Sequence, residues 1–383
     1  MLNRFHLLGL TLALAAAPHA AEPGPVRLAL PDTLYAVTGL ETNLYFENLV
    51  LAVNPANYIF DVDCEKGLQQ AERWTYTPDP ADAGAYTLSV KVIDQTNTVV
   101  ASGESELVVT RADVASGQPV SMLLVGDSLT HASIYSQTLL DLSTQAGAPA
   151  ITLVGTHAPV DNPANRHEGY GGWTAERFAT RFTEAPRDAS YHDRPSPFVY
   201  RNESGAIEID FARYCAENLA GKAPDVVTIF LGCNDTFGAK DDTIETTIDS
   251  MFGHLDALIA AIHGAHPETV IGLIAPVPPA STQDAFGANY NNGQTRWQYL
   301  RNQHRVVERM TETYGGREAE HLSLIPAYVN LDCLRNYPAS TAPANARAAA
   351  EVTRLNNGVH PDAAGYRQIG DSIYAWLLAI RSG

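Results

Sequence analysis

The sequence predicts a chain in two parts, a small all-β sandwich domain over residues 22–113 and an α/β domain with a mainly parallel central sheet over residues 119–383. In the first part, short segments rich in β-branched and aromatic residues are separated by Pro, Gly, Asn and Asp, which is typical of a sandwich. In the second part, apolar runs alternate with segments of helical periodicity, which is typical of a parallel sheet covered by helices on both faces.

Residues 1–21 have the features of a secretory signal peptide. One Arg precedes an apolar core from Leu7 to Ala17, and small residues follow at Ala20 and Ala21. This run is too short to span a bilayer, so a cleaved leader fits better than a membrane anchor. We therefore expect an exported protein, periplasmic or extracellular, with no membrane span.

The first part is expected to form an immunoglobulin-like accessory domain. Tyr86 follows a loop that begins at Asp82, which is the arrangement of a corner where a Tyr hydroxyl bonds back to the backbone. The domain could bind carbohydrate or act as a spacer, and residues 111–119 would link it to the rest. The predicted strands are Leu44–Phe46, Tyr58–Val62, Trp74–Tyr76, Tyr86–Val92 and Glu106–Val109.

The second part alternates between the two kinds of pattern. Helices are predicted over residues 132–145, 244–262 and 362–380 from the spacing of their apolar residues. Residues 192–198 have the composition of an irregular loop over the sheet edge, where loops commonly shape pockets, and residues 340–350 are predicted to be a surface loop. The predicted strands are Val120–Val125, Ala150–Val154, Asp225–Leu231 and Val270–Ile274.

The strand Val120–Val125 ends abruptly at Gly126-Asp127-Ser128. A serine at the carboxyl end of a buried parallel strand lies where open α/β sheets place their chemistry. Its hydroxyl can be a nucleophile if a base and oxyanion donors converge on it, or it can be the N-cap of the next helix. The tripeptide alone leaves both interpretations open.

Three further stretches follow Gly126-Asp127-Ser128-Leu129 in order: Gly169-Tyr170-Gly171-Gly172-Trp173-Thr174, Gly232-Cys233-Asn234-Asp235 and Asn357-Gly358-Val359-His360-Pro361. Together these four blocks resemble the four sequence blocks of the SGNH, or GDSL, hydrolases. The resemblance covers residues 119–383 and implies a three-layer SGNH-type domain. It does not extend to residues 22–118.

The resemblance also implies a set of site residues. Ser128 would be the nucleophile and His360 its base, while the Ser128 N–H, the Gly172 N–H and the Asn234 amide would hold the oxyanion. Gly169 and Gly171 are the alternatives to Gly172.

The chain departs from the family pattern at Asn357, where the family usually has Asp. An Asn carbonyl could still hold the His360 ring, but it supplies no charge. A backbone carbonyl or another carboxylate could orient His360 instead, or the protein could be slow or inactive. Asp362 is expected to be a helix N-cap.

Composition restricts the partners. With 25 basic and 43 acidic side chains, the formal charge of −18 argues against nucleic acid and disfavours polyanionic substrates, although a local basic patch could override that. Cys64, Cys215, Cys233 and Cys333 have no metal-type spacing, and we assign no disulfide to them. No metal or nucleotide fingerprint is present, so no cofactor is implied.

These observations predict a secreted serine ester hydrolase, a carbohydrate acetylesterase acting on an acylated carbohydrate or other small ester. The choice of O-acetyl groups rests on export and on the accessory β-domain. A lipase-like or thioesterase-like esterase is an alternative. A non-catalytic carbohydrate-binding protein on the same scaffold is another, and Asn357 is its main support. The sequence does not indicate the oligomeric state.

Overall fold

The computed structural model describes residues 26–382, so the predicted signal peptide lies outside the described residues. The first part of the chain is built almost entirely of strands. They form a four-stranded sheet, a three-stranded sheet and one short ladder. The elements are β1 (Arg27–Leu28), β2 (Thr33–Val37), β3 (Thr42–Tyr45), α1 (Phe46–Leu49), β4 (Val50–Leu51), β5 (Ile59–Asp63), β6 (Leu68–Gln69), β7 (Arg73–Tyr76), β8 (Gly84–Ile93) and β9 (Val99–Thr110).

The four-stranded sheet has the order β2-β9-β8-β5, and the three-stranded sheet has the order β3-β7-β6. All of the ladders are antiparallel except the one between β2 and β9. The corner predicted at Tyr86 is confirmed, because its hydroxyl donates a hydrogen bond of 2.8 Å to the carbonyl of Asp82. The predicted all-β region is therefore present.

Two predicted boundaries in this region are wrong. β9 begins at Val99, seven residues before the predicted start. Its first half, residues 99–104, pairs with β8 but contains no buried residue, and its apolar and polar side chains do not alternate. Phe46, predicted to end a strand, begins α1 instead, and its ring stacks on Phe60 with centroids 4.8 Å apart.

The β-region and the α/β part share one core. Trp74, Leu88 and Val90 pack in the same buried cluster as Tyr328 and Val329. Polar contacts reinforce this packing, because the amide of Asn48 donates to the carbonyls of Tyr328 and Leu331, each at 2.8 Å. The predicted domain boundary between residues 113 and 119 stays a prediction, since one buried cluster contains residues from both sides of it.

The rest of the chain is an α/β unit. Its elements are β10 (Pro119–Gly126), α2 (Ser128–His131), α3 (Ile134–Ser143), β11 (Ala150–Val154), β12 (Glu168–Gly169), α4 (Ala175–Thr180), β13 (Val199–Arg201), β14 (Ile207–Ile209), α5 (Phe211–Asn218), β15 (Val226–Phe230), α6 (Cys233–Thr236), α7 (Ile244–Ala265), β16 (Val270–Ile274), α8 (Gln283–Tyr290), α9 (Arg296–Tyr314), β17 (Leu322–Ile325), β18 (Ala339–Asn345), β19 (Ala348–Leu355) and α10 (Ala363–Ile380).

The central sheet is parallel and has the order β11-β10-β15-β16-β17, with β12 paired to the end of β10. Side chains of β10 alternate between its two faces. Met122 and Leu124 pack in the cluster that contains α3 and α10, whereas Leu123 and Val125 pack in the one that contains α4, α5 and α7. This alternation produces the three-layer α/β architecture that the sequence predicts.

Two elements of the α/β part have no strong sequence signal. α9 sends Tyr299, Met310 and Val307 into three different buried clusters, so no single apolar stripe marks it. The tract predicted as a surface loop at residues 340–350 is instead part of the exposed hairpin β18–β19, a wrong prediction. Its small side chains carry no alternating pattern, and the backbone ladder alone defines the strands.

Within residues 26–382, no helix combines the length and the apolar character that crossing a membrane requires. All four cysteines lie in this range and are free, with Cys64 partly exposed and the other three buried.

Candidate active site

The four sequence blocks meet at the carboxyl edge of the parallel sheet. The first block follows β10 and the third follows β15, and these neighbouring strands are the point where the strand order reverses. Loops leave such a pair of strands toward opposite faces of the sheet and open a crevice between them. The fold therefore places Ser128 and Asn234 beside that crevice.

Ser128 is the first residue of α2 and does not cap it. The cap is Asp127, whose Oδ1 accepts the Leu129 N–H at 2.9 Å. Of the two interpretations that the tripeptide leaves open, the N-cap is therefore wrong. The Ser128 hydroxyl remains available for another partner.

That partner is His360. Its Nε2 lies 2.8 Å from the Ser128 Oγ, although the two residues are 232 positions apart in the chain. Burial lowers the pKa of His360 from its ordinary value of 6.5, so the ring is neutral near pH 7. A neutral imidazole at hydrogen-bond distance from a hydroxyl can accept its proton.

Asn357 stabilises the turn before His360 and forms no hydrogen bond with its ring. Its Oδ1 accepts the backbone N–H groups of Val359 at 3.1 Å and His360 at 2.9 Å. Asp362 caps α10, as predicted, by accepting from the N–H groups of Ala364 and Gly365. Among the described residues, none forms a hydrogen bond with His360 Nδ1, so neither Asn357 nor Asp362 orients the ring directly.

The second block lies against the first. β12 pairs with the end of β10, and the Tyr170 N–H donates to the Gly126 carbonyl at 2.9 Å. Gly169 allows this approach, because a Cβ there would lie 2.6 Å from the Thr130 side chain. Gly172 has a φ of +74° and is exposed, so it forms a left-handed turn at the block's edge.

The Asn234 amide connects the first three blocks. Its Nδ2 donates to Asp127 Oδ2 at 3.1 Å and to the Trp173 carbonyl at 3.2 Å. These partners directly precede Ser128 and directly follow Gly172 in sequence. Asn234 is thus held between the two other candidate oxyanion donors, while both of its N–H groups are occupied in this structure.

The Asp127 carboxylate holds this arrangement in place. Its Oδ2 also accepts the Cys233 thiol at 2.8 Å. Burial raises the pKa of Asp127 to about 6, and burial together with the Asp127 charge keeps the Cys233 thiol protonated by raising its pKa well above the usual range. A buried carboxylate that accepts three hydrogen bonds, one of them from a neutral thiol, is a stable, fixed acceptor for Asn234.

Comparison with known proteins identifies the family of the chain. A family model described as the GDSL-like Lipase/Acylhydrolase family matches residues 124–368. The chain belongs to this family. A search of curated proteins found no match.

Solved structures similar to this GDSL-family chain include three carbohydrate esterases. A family 3 carbohydrate esterase from Clostridium thermocellum is 18% identical, with 70% of this chain and 100% of that chain covered and a TM-score of 0.40. A family 3 carbohydrate esterase from Talaromyces cellulolyticus is 17% identical, covering 68% and 98% with a TM-score of 0.37. A carbohydrate acetylesterase from Sinorhizobium meliloti is 16% identical, covering 68% and 99% with a TM-score of 0.36.

Sequence reasoning singled out Ser128, Asn234 and His360 in this GDSL-family chain, and it gave no role to Asp127 and Cys233. The signal for Asp127 was its place between Gly126 and Ser128 in the first block. Cys233 is buried and donates its thiol to Asp127, a contact that the third block does not indicate.

Proposed function

We propose that this chain is an exported serine ester hydrolase that removes O-acetyl groups from a polysaccharide or oligosaccharide. The observation that carries the proposal is the 2.8 Å contact between His360 Nε2 and Ser128 Oγ, made at the reversal point of the sheet. Family membership supports the general activity, a hydrolase of lipase or acylhydrolase type. The predicted leader and the β-region favour a saccharide outside the cytoplasm as the substrate.

The proposed reaction has two halves. Ser128 Oγ attacks the acyl carbon while His360 Nε2 takes its proton, and the carbonyl oxygen becomes an oxyanion. The N–H groups of Ser128 and Gly172 and the Asn234 amide stabilise that oxyanion, the latter by exchanging its 3.2 Å bond to the Trp173 carbonyl. His360 then protonates the departing sugar hydroxyl, and water releases acetate from Ser128 by the same steps.

A second candidate is a non-catalytic carbohydrate-binding protein on a GDSL scaffold. It is favoured by one observation, that His360 Nδ1 has no hydrogen-bond partner among residues 26–382 while Asn357 bonds only to backbone. An unheld ring would make a slow base. Against it, the Ser128–His360 contact is in place without help from Asn357.

Acetate release separates the two candidates. Wild type and Ser128→Ala are assayed side by side on 4-nitrophenyl acetate, acetylated polysaccharides and long-chain esters. The variant should lose all turnover and keep its circular dichroism, because His360 is the only described hydrogen-bond partner of the Ser128 hydroxyl. Equal release by both proteins would remove the enzyme assignment, and preference for long-chain esters would indicate a lipase-like substrate instead.

A further inference from the structure

A surface cavity of about 380 Å³ lies beside the second block of the site. Three loops form its wall, and the long insertion between α4 and β13 contributes most of it. The side chains that matter below are Thr156, His157, Tyr170, Arg187, Tyr191 and Arg194.

Arg194 is the unusual member of this wall, because it is a buried cation without a carboxylate partner. The residue is 6% exposed, its Nη2 donates to Thr156 Oγ1 at 3.0 Å, and its guanidinium lies 4.8 Å from the centroid of the Tyr170 ring. Within residues 26–382, its buried Nε has no hydrogen-bond partner and its guanidinium forms no ion pair. A buried charge left in this state is costly unless something else compensates it.

Glu168 is connected to Arg194 through Thr156, and its carboxylate oxygens already accept hydrogen bonds from other groups. Thr156 bonds both of its oxygens, at 2.7 Å through the N–H and 2.9 Å through the hydroxyl. The hydroxyls of Tyr214, at 2.6 Å, and Tyr170 also donate to it. Glu168 is therefore linked to Arg194 only across Thr156, and none of its hydrogen bonds goes to the guanidinium.

The lining of the cavity carries two arginines and one aspartate, in contrast to the acidic chain as a whole. Arg187 lines the same wall and donates to the carbonyls of Ser196, Pro197 and Val199, again without an ion pair in the described part of the chain. Asp188 is the acidic residue among the lining side chains. In a protein with a formal charge of −18, this is the local basic patch that could accept an anion.

The cavity lies beside the segments that carry the proposed site. The His157 ring stacks on that of His131, with centroids 4.7 Å apart, and His131 lies on α2 three residues after Ser128. On the other side, the Tyr191 ring packs on Gly171, next to Gly172. The cavity wall is thus in contact with the two segments that carry Ser128 and Gly172. His157 is neutral, because burial and the charges of His131 and Arg194 lower its pKa to about 4. It can therefore form a hydrogen bond with a ligand but adds no positive charge to the cavity.

We propose that this cavity is a carboxylate subsite, in which Arg194 binds the carboxylate of a uronic acid unit next to the acylated sugar. The planar fork of an arginine matches a carboxylate, and the partly exposed ring of Tyr191 suits a sugar face. The inference rests on the proposed esterase function and names its substrate class as acylated acidic oligosaccharides.

The first test needs no mutation. Wild type is assayed on an acetylated oligo-uronate and on the same preparation after its carboxylates have been reduced to primary alcohols. We expect kcat/KM to be about 10-fold or more higher on the acidic form at low salt, with the difference shrinking as NaCl is added. Equal kcat/KM values on the two preparations would overturn the proposal, and so would a stronger preference for a phosphorylated, uronate-free oligosaccharide.

The second test uses matched charge-removing variants. Arg194→Gln should bring the ratio of kcat/KM on the acidic and reduced substrates close to one. Arg111→Gln removes the same charge from an exposed residue paired with Asp113 and should leave the ratio unchanged. A ratio that Arg194→Gln leaves at the wild-type value would contradict the subsite. If Arg194→Gln fails to fold, the comparison of wild type on the acidic and reduced substrates still tests the proposal.

Failure of the proposed function would look different. In that case wild type would not hydrolyse 4-nitrophenyl acetate in a Ser128-dependent way, whatever the charge of the saccharide.

Discussion

Asn234→Ala separates a catalytic amide from a structural one. The side chain makes two hydrogen bonds in the resting site, one to the Asp127 carboxylate and one to the Trp173 carbonyl. A bond to a charged group contributes about 1.5–3 kcal/mol and a neutral one about 0.5–1.5 kcal/mol, so the variant should lose about 2–4.5 kcal/mol of unfolding free energy. Losing an oxyanion donor should also lower kcat by about 10²–10³.

Cys233→Ala is the matched control for this experiment. It removes a donor to the same Asp127 oxygen, at 2.8 Å, and leaves the Asn234 amide in place. Because the same carboxylate loses one donor in each variant, Cys233→Ala should lose about 1–3 kcal/mol of stability while its kcat stays within about 10-fold of wild type.

The measurements are urea unfolding followed by tryptophan fluorescence and kcat for acetate release, corrected for the folded fraction. If Asn234→Ala is destabilised but keeps wild-type kcat per folded molecule, its amide only connects the loops, and the oxyanion assignment is wrong. A loss of kcat in Cys233→Ala as large as that in Asn234→Ala would show that the position of Asp127, and not the amide itself, controls the rate.

Three further predictions concern the base and the β-region. Asn357→Asp should change kcat at pH 8 by less than about 10-fold, because an Asp oxygen can accept both backbone hydrogen bonds of Asn357 and Asn357 does not bond the His360 ring. A larger increase would show that the missing carboxylate limits the rate. Because burial lowers the pKa of His360 and only the neutral ring is a base, kcat/KM for 4-nitrophenyl acetate should fall with decreasing pH around a midpoint below 6.5, and a midpoint above 7 would contradict this. Deleting residues 22–113 should give an aggregated or unfolded product, measured by light scattering and circular dichroism, because Ala275, Val307, Tyr328 and Val329 lose their cover; a soluble truncate with wild-type turnover would refute the shared core.

The parallel sheet could be predicted because the sequences of buried parallel strands are short, mostly apolar runs. Val120–Val125, Ala150–Val154 and Val270–Ile274 show this pattern, and the structure places strands there. The four blocks then located the edge where Ser128 and His360 meet. These features are local in sequence, so one sequence was enough.

What the sequence did not predict depends on contacts between distant residues. Cys233 and Asn234 reach Asp127 across separations of 106 and 107 residues, and no local pattern encodes which donor meets which oxygen. Arg194 was placed in an irregular loop, correctly, but its burial against Tyr170 follows only from the folded arrangement of the insertion. β17 contains only four residues, one of them Ser323, and carried too weak a signal.

The shared core also sets the order in which the chain can fold. The Tyr328 hydroxyl donates to the Ala29 carbonyl at 2.9 Å across a separation of 299 residues, and Asn43 bonds Asn330 across 287. During synthesis the β-region emerges first, but the residues that complete its interior come near the end of the chain. Such long-range closure slows folding and leaves apolar strands exposed in the meantime. The β-region should therefore acquire its native protection against amide hydrogen exchange late, together with the last strand of the parallel sheet.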